Sequence, residues 1–363
     1  IASFRDRNNS TITCTILVLN ISSNYNRFRN NEILWKRQNK EGKVLTLILT
    51  ALTLFVIGLV SLIRFSDIFV SAASSLSIHL KVPKMLIALT VAAFGTCAPE
   101  LAISFNSISG GNPDMTLANV IGSCIVNILL IVGIAAIVRP IKVKERTIKK
   151  ELPLLVIITS AFFVLLTDSL FKKGSSNTLS RADGIMLLCW FILFMFYIIG
   201  LVRKNKNEET LIPEYSLKKS VILIILTLIG IIVSSDIVVD NAVMLAEVLG
   251  ISQKIISMTA IVIGTSLPEL TMTVNAARKD EFDMAVGNII GTNIFNICIV
   301  LGLPISIYGT VSSNAFTVVD SSIVLLASII FYIFGKSGKV LSRREGVLMV
   351  LVFLIYYVYL FIS

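Results

Sequence analysis

The chain has 363 residues, 55% of them hydrophobic, with a formal net charge of +10 at pH 7. Soluble domains rarely pass half apolar, and apolar runs of about 20 residues recur here, each long enough to cross a bilayer, with none of the short alternating segments of a membrane barrel. One histidine (His79) and five scattered cysteines argue against histidine catalysis, a zinc site or a disulfide framework; the basic residues sit in short loops between apolar runs, which reports topology and not a nucleic-acid partner.

Taken in order, residues 1–43 are polar and rich in Asn, Ser, Arg and Lys, with one apolar patch, Ile12 to Ile21, too short to span. They are expected to be a disordered or non-native leader, with the native start near Val44 or Leu45. Ten spans follow, at 44–78, 84–109, 114–138, 150–168, 183–202, 220–249, 254–277, 283–307, 317–335 and 344–362. The loop 203–219 separates a first half, 44–202, from a second, 220–363. With the start of the first span outside, the inside loops carry 19 Lys and Arg residues and the outside loops 4. This asymmetry predicts both termini outside. The expected class is an all-α membrane protein of ten transmembrane helices in two inverted five-helix repeats.

The repeat is read from rare residues. Moving forward by 169 positions carries Ser66-Asp67-Ile68 onto Ser235-Asp236-Ile237, Gly95-Thr96 onto Gly264-Thr265 and Pro99-Glu100 onto Pro268-Glu269. It carries Asn119, Gly122 and Asn127 onto Asn288, Gly291 and Asn296, and Ser123 onto Thr292. Five spans lie between the copies. Five is odd, so the second copy enters the membrane inverted, and Glu100 and Glu269 approach from opposite faces. Inverted repeats with broken helices and a midplane site are the architecture of secondary transporters.

Within each copy, Pro99 or Pro268 removes one backbone donor and clashes with the carbonyl four residues earlier, Gly95 or Gly264. The carbonyls of Ala93, Phe94 and Gly95, and of Val262, Ile263 and Gly264, are expected to lack helical partners. Such groups persist at membrane depth only when buried in protein or lining a wet cavity, and a cation satisfies several together. Glu100 and Glu269 add anionic oxygens, Thr96, Thr265, Ser266, Ser123 and Thr292 add hydroxyls, and Asn127 and Asn296 add amide oxygens. This all-oxygen shell suits Ca²⁺, which takes six to eight ligands at about 2.3–2.6 Å; it also suits Na⁺. It does not suit Zn²⁺ or copper. A lone Gly–Pro kink or a lone buried Glu is usually structural. Two copies at one offset, each with an intramembrane carboxylate, mark an ion path. Asp67 and Asp236, near a membrane face, read as helix-end polar groups, with Arg64 a ready partner for Asp67.

At these residues the chain resembles the sodium/calcium exchanger family. Gly95-Thr96…Pro99-Glu100 with Gly122-Ser123-Cys124-Ile125-Val126-Asn127, and Gly264-Thr265-Ser266-Leu267-Pro268-Glu269 with Gly291-Thr292-Asn293-Ile294-Phe295-Asn296, look like its two alpha repeats. The resemblance implies four ion sites among helices 2, 3, 7 and 8. Ca²⁺ would be held by Glu100, Glu269, Thr96 and Thr265. Na⁺ would share the glutamates and use Ala93, Ser123 and Ser266 on one side and Cys97, Val262 and Thr265 on the other, with Asn127 and Asn296 lining the middle. Helices 1 and 6 would slide to alternate access. Cys97 stands where Ser is usual in the family, a softer and poorer Na⁺ ligand. Asn296 stands where the potassium-dependent branch has Asp, which argues against potassium co-transport.

The function expected is Na⁺/Ca²⁺ antiport in the plasma membrane by a monomer, with no enzyme activity, no cofactor and no nucleic-acid partner; Ca²⁺, Na⁺ and the lipid bilayer are the partners. A Ca²⁺/H⁺ exchanger, using the same glutamates as titrating groups, is the alternative, and a cation channel a more distant one.

Overall fold

The computed structural model describes residues 41–109, 113–167, 177–204, 212–248, 262–309, 311–313 and 318–362. The leader expected at 1–43 lies outside the described residues as far as residue 40. Its last three positions are helical, because the first helix, α1, begins at Glu41 and runs to Leu80.

At 1.5 Å per residue α1 is about 60 Å long, roughly twice the hydrocarbon thickness, so it tilts or projects into water. It stops at Lys81, whose φ is 54°. The Lys81 amide donates to the Ile78 carbonyl and the Val82 amide to the Ser77 carbonyl. This is a Schellman cap built on lysine where glycine is usual, and Pro83 keeps the helix from resuming. α2 (Lys84–Thr96) follows, with a π-helical stretch at Ala88–Ala92. Cys97 breaks the chain, and α3 (Ala98–Ser109) leaves at a 45° bend. α4 covers residues 113–138 and is π-helical at Val126–Ile131.

A short α5 (Glu145–Lys149) leads into α6 (Glu151–Leu166), and α7 is Arg181–Lys204. In the second half lie α8 (Leu217–Val248), α9 (Val262–Thr265), α10 (Leu267–Arg278) and α11 (Phe282–Tyr308), the last π-helical at Asn296–Leu301. α12 (Val318–Lys336) and α13 (Arg343–Ile362) end the chain. Six of these helices are long and apolar enough to cross a membrane, or seven if the bent α2–α3 pair counts as one span. The expected span at 150–168 is the 16-residue α6. The one at 254–277 is described only from Val262, and the one at 344–362 is α13, with Arg343, Arg344 and Glu345 in its first turn.

The described residues are mostly helical, as expected, with one addition in the loops. Two short antiparallel ribbons tie loops together: β1 (Ile141–Lys142) with β4 (Val340–Leu341), and β2 (Asn177–Leu179) with β3 (Val311–Ser313). Extended loop backbone must find partners when it is taken from water, and a neighbouring loop supplies them.

α4 and α11 are the most buried spans, while α7 and the first half of α1 are the least buried. α1 and α8 lie along each other over much of their length. α11 packs backbone to backbone against α2: a Cβ on Gly291 would stand 2.8 Å from the Leu89 Cα and carbonyl oxygen, and one on Gly287 2.8 Å from the Ala88 Cβ. On the periphery α6 packs against α12, α7 against the last turns of α11, and α13 against the last turns of α4.

Candidate cation-binding centre

The two broken helices match position for position. α2 ends at Thr96 and α3 runs Ala98–Ser109; α9 ends at Thr265 and α10 runs Leu267–Arg278. The breaks fall on Cys97 and Ser266, 169 positions apart, each just before its proline. Each proline sits at the start of the new helix, where its missing N–H costs nothing.

Glu100 and Glu269 enter one centre from these helix starts and are 1% and 0% exposed. They lie within electrostatic reach of each other, with the Thr265 hydroxyl beside Glu100 and the Thr96 hydroxyl beside Glu269. Each acid thus faces a hydroxyl of the opposite half. Among the described residues none of the four carboxylate oxygens has a hydrogen-bond partner. The same holds for the Ser123, Ser266 and Thr292 hydroxyls and for both polar atoms of the Asn127 and Asn296 amides. Buried polar side chains are ordinarily partnered. Here the orphans include both carboxylates, and all of those named but the amide nitrogens are oxygens, the atoms a hard cation takes. The amides and Thr292 come from α4 and α11, at or beside the π-helical stretches.

Several candidates have other duties. The Ala93 carbonyl accepts from the Cys97 amide at 3.1 Å and from the Thr96 hydroxyl at 3.3 Å, so it is not left short of donors as the break at Pro99 implied. The Gly264 carbonyl accepts from the Ser235 hydroxyl of α8 at 3.1 Å, a partner from another helix and not from its own. The Cys97 thiol donates to the Thr292 carbonyl at 3.8 Å and stitches α2 to α11. Val262 stands at the first described position of α9, and its backbone is placed there. Sequence reasoning passed over Ser235, and over Asn119, whose amide donates to the Glu100 carbonyl at 3.2 Å and braces the acid's backbone. Both belong to the set matched across the repeat, and their polarity inside apolar helices was the available signal. Asp67 pairs with Lys279 at 2.9 Å, a partner other than the expected Arg64. The His79 ring nitrogen Nε2 lies 2.8 Å from the Tyr215 carbonyl, a structural role.

A helical membrane protein whose two interrupted helices converge on a pair of buried, unpartnered carboxylates is built to handle cations. The sodium/calcium exchanger family model matches residues 50–200 and 219–362, and the chain belongs to that family. It is 36% identical over 323 residues to the putative antiporter CaxA of Alkalimonas amylolytica, a match covering 86% of this chain and 99% of that protein. It is 30% identical over 341 residues to the sodium/calcium exchanger MaX1 of Methanosarcina acetivorans, covering 85% and 97%. Among solved structures, the sodium-calcium exchanger NCX_Mj soaked with Na⁺ superposes with a TM-score of 0.73 at 30% identity, covering 86% of this chain and 99% of that one.

Proposed function

We propose that this chain exchanges Na⁺ for Ca²⁺ across the membrane by alternating access. The observation that carries the reading is the pair of buried, unpartnered carboxylates, Glu100 and Glu269, one from each half. Unneutralised charge at membrane depth is costly by roughly 2.5 kcal/mol or more per group, so the empty centre resists change and a bound cation relieves it. Two carboxylates balance one Ca²⁺. Na⁺ needs the same oxygens, so the two ions compete and cannot be carried together. Thr96, Thr265, Ser123, Ser266 and Thr292 supply neutral oxygens, and Asn127 and Asn296 line the middle.

The proposed architecture is ten spans in two inverted repeats, 44–202 and 220–363, with both termini outside in the plasma membrane and the monomer as the working unit. It is supported by the matched breaks at Cys97 and Ser266, by the loop asymmetry in Lys and Arg, and by the grouping of the loops. Contacts join the residues near 79–84, 139–149, 214–215, 279–283 and 339–341, the set expected inside. The ribbon of β2 and β3 joins two loops of the other set. No catalytic chemistry and no cofactor belong to this reading; Na⁺ and Ca²⁺ are cargo.

The competing reading keeps the two acids but titrates them, giving Ca²⁺/H⁺ exchange. The test is radiolabelled Ca²⁺ uptake into proteoliposomes under an imposed Na⁺ gradient, compared with a pH gradient of equal driving force. Uptake driven by Na⁺ alone is expected; uptake driven by the pH gradient alone would replace Na⁺ by H⁺, and single-file conductance would make the chain a channel.

A further inference from the structure

The two faces of the molecule are not chemically alike. At the face where α1 ends and α2 begins, α10 and α11 are joined by Lys279-Asp280-Glu281. Asp280 takes a left-handed φ of 59°. Its amide donates to the Ala277 carbonyl and the Glu281 amide to the Ala276 carbonyl, a second Schellman cap that presents Lys279 and Glu281 toward α1 and α2. The Lys279 Nζ lies 2.9 Å from the Asp67 carboxylate, 2.8 Å from the Asp67 carbonyl and 2.8 Å from the Ser71 hydroxyl. The Glu281 carboxylate accepts from the Ser74 hydroxyl at 3.1 Å and from Lys84 at 2.6 Å. Deeper in the membrane, the Asn275 amide donates to the Ile63 carbonyl at 3.2 Å. Ile63, Asp67, Ser71 and Ser74 are spaced four, four and three residues apart and form one stripe of α1. That stripe is fastened along α10 and its connector.

The repeat offset carries Lys279-Asp280-Glu281 onto Gly110-Gly111-Asn112, and carries Ile63, Asp67, Ser71 and Ser74 onto Ile232, Asp236, Asp240 and Val243. Neither glycine bears a side chain and the asparagine bears no charge, so the sequence provides no lysine and no acid at the corresponding connector.

We propose that Lys279 and Glu281 are positioning residues for the exchange cycle: a one-sided latch that fastens α1 over α10 and closes the centre toward the face bearing this connector. The inference rests on the antiport reading above. The seam under α1 is where opening costs least, because α2 and α11, next to the helices holding the carboxylates, interlock through Gly287 and Gly291, while α1 lies on the outside of that group. Thr273, 1% exposed and one turn along α10 from Glu269, lies on the helix that this stripe fastens, where its hydroxyl accepts from the Asn288 amide of α11 at 3.2 Å. Its repeat equivalent, Ser104, is equally buried on α3 toward the opposite face. Releasing the latch exposes Thr273 and shifts the population away from states that expose Ser104.

The test uses the full chain in lipid nanodiscs, with Thr273→Cys or Ser104→Cys as reporter, a hydrophilic maleimide as probe, and the chain without added cysteine as blank. Lys279→Ala and Glu281→Gln are expected to speed labelling at position 273 several-fold and to slow it at 104, with Lys279→Arg restoring the parent rates. Equal rates at 273 in parent and Lys279→Ala, or faster labelling at both positions, would overturn the latch; the latter is the mark of general loosening. If the parent fails to move Ca²⁺ under a Na⁺ gradient, the antiport reading falls by that result, and the labelling rates still decide whether the latch exists.

Discussion

Glu100 and Glu269 are the residues at which fold and function meet, and they oppose each other. Each is a buried carboxylate without a hydrogen-bond partner among the described residues, a costly placement in the membrane interior. Glu100→Gln or Glu269→Gln keeps the shape and removes the charge. Each variant is expected to fold, to be at least as resistant to heat as the parent in ion-free buffer, and to lose the Ca²⁺-dependent rise in Tm that ligand linkage gives the parent. Thermal unfolding of detergent-purified protein with and without Ca²⁺ reads both effects; a Ca²⁺ shift that survives in either variant would separate that acid from the site. A smaller effect belongs to Ser235, whose hydroxyl occupies the Gly264 carbonyl at 3.1 Å. Ser235→Ala leaves that carbonyl unpartnered, at a cost of about 1 kcal/mol, and is expected to lower Tm by a few degrees. The acids were legible in the sequence because a carboxylate in an apolar run is conspicuous and this one occurs twice. Which carbonyls remain free was not legible, since it depends on donors such as Ser235 and the Cys97 amide that a linear reading of the Pro–Gly break does not bring near.

At the scale of elements, the centre depends on how closely α11 approaches α2. Gly291 is the limiting contact, since a Cβ there would lie 2.8 Å from the Leu89 Cα and carbonyl oxygen and 2.9 Å from the Ala93 Cβ. Backbone cannot yield as a side chain does, so Gly291→Ala forces the two helices apart. A cost of about 1–3 kcal/mol is expected, together with weaker Ca²⁺ binding, because α2 leads straight to the break before Glu100. A Tm and a Ca²⁺ affinity equal to the parent's would show that this approach is not needed. The helices themselves were largely legible from run length, and their ends moved by only a few residues: α1 covers 41–80 where 44–78 was expected. The ends that escaped notice are the ones closed without glycine. Lys81 and Asp280 adopt left-handed conformations that their residue types do not announce, and those two caps place the ion-paired connector. The loop ribbons were missed for a related reason: two- and three-residue strands joining distant loops leave no periodicity to read.

For the whole molecule, the proposed inverted repeat would make the two access states nearly equivalent in backbone, so that small chemical differences between the halves set their balance. The offset of 169 revealed the symmetry, and the departures from it, Cys97 against Ser266 and Lys279-Asp280-Glu281 against Gly110-Gly111-Asn112, mark where the halves differ. Orientation follows from the loops, with 19 basic residues expected inside and 4 outside. A tag at the C-terminus is therefore expected to be cleaved by protease added to intact cells; protection until the cells are opened would invert the topology. The central claim is that one carboxylate from each half forms a single centre for which Ca²⁺ and Na⁺ compete. Its most direct test is radiolabelled Ca²⁺ uptake into proteoliposomes under a Na⁺ gradient, run on the parent, Glu100→Gln and Glu269→Gln side by side. Na⁺-driven uptake by the parent and background flux in both variants are predicted; sustained Na⁺-driven uptake in either variant would contradict a centre shared between the halves.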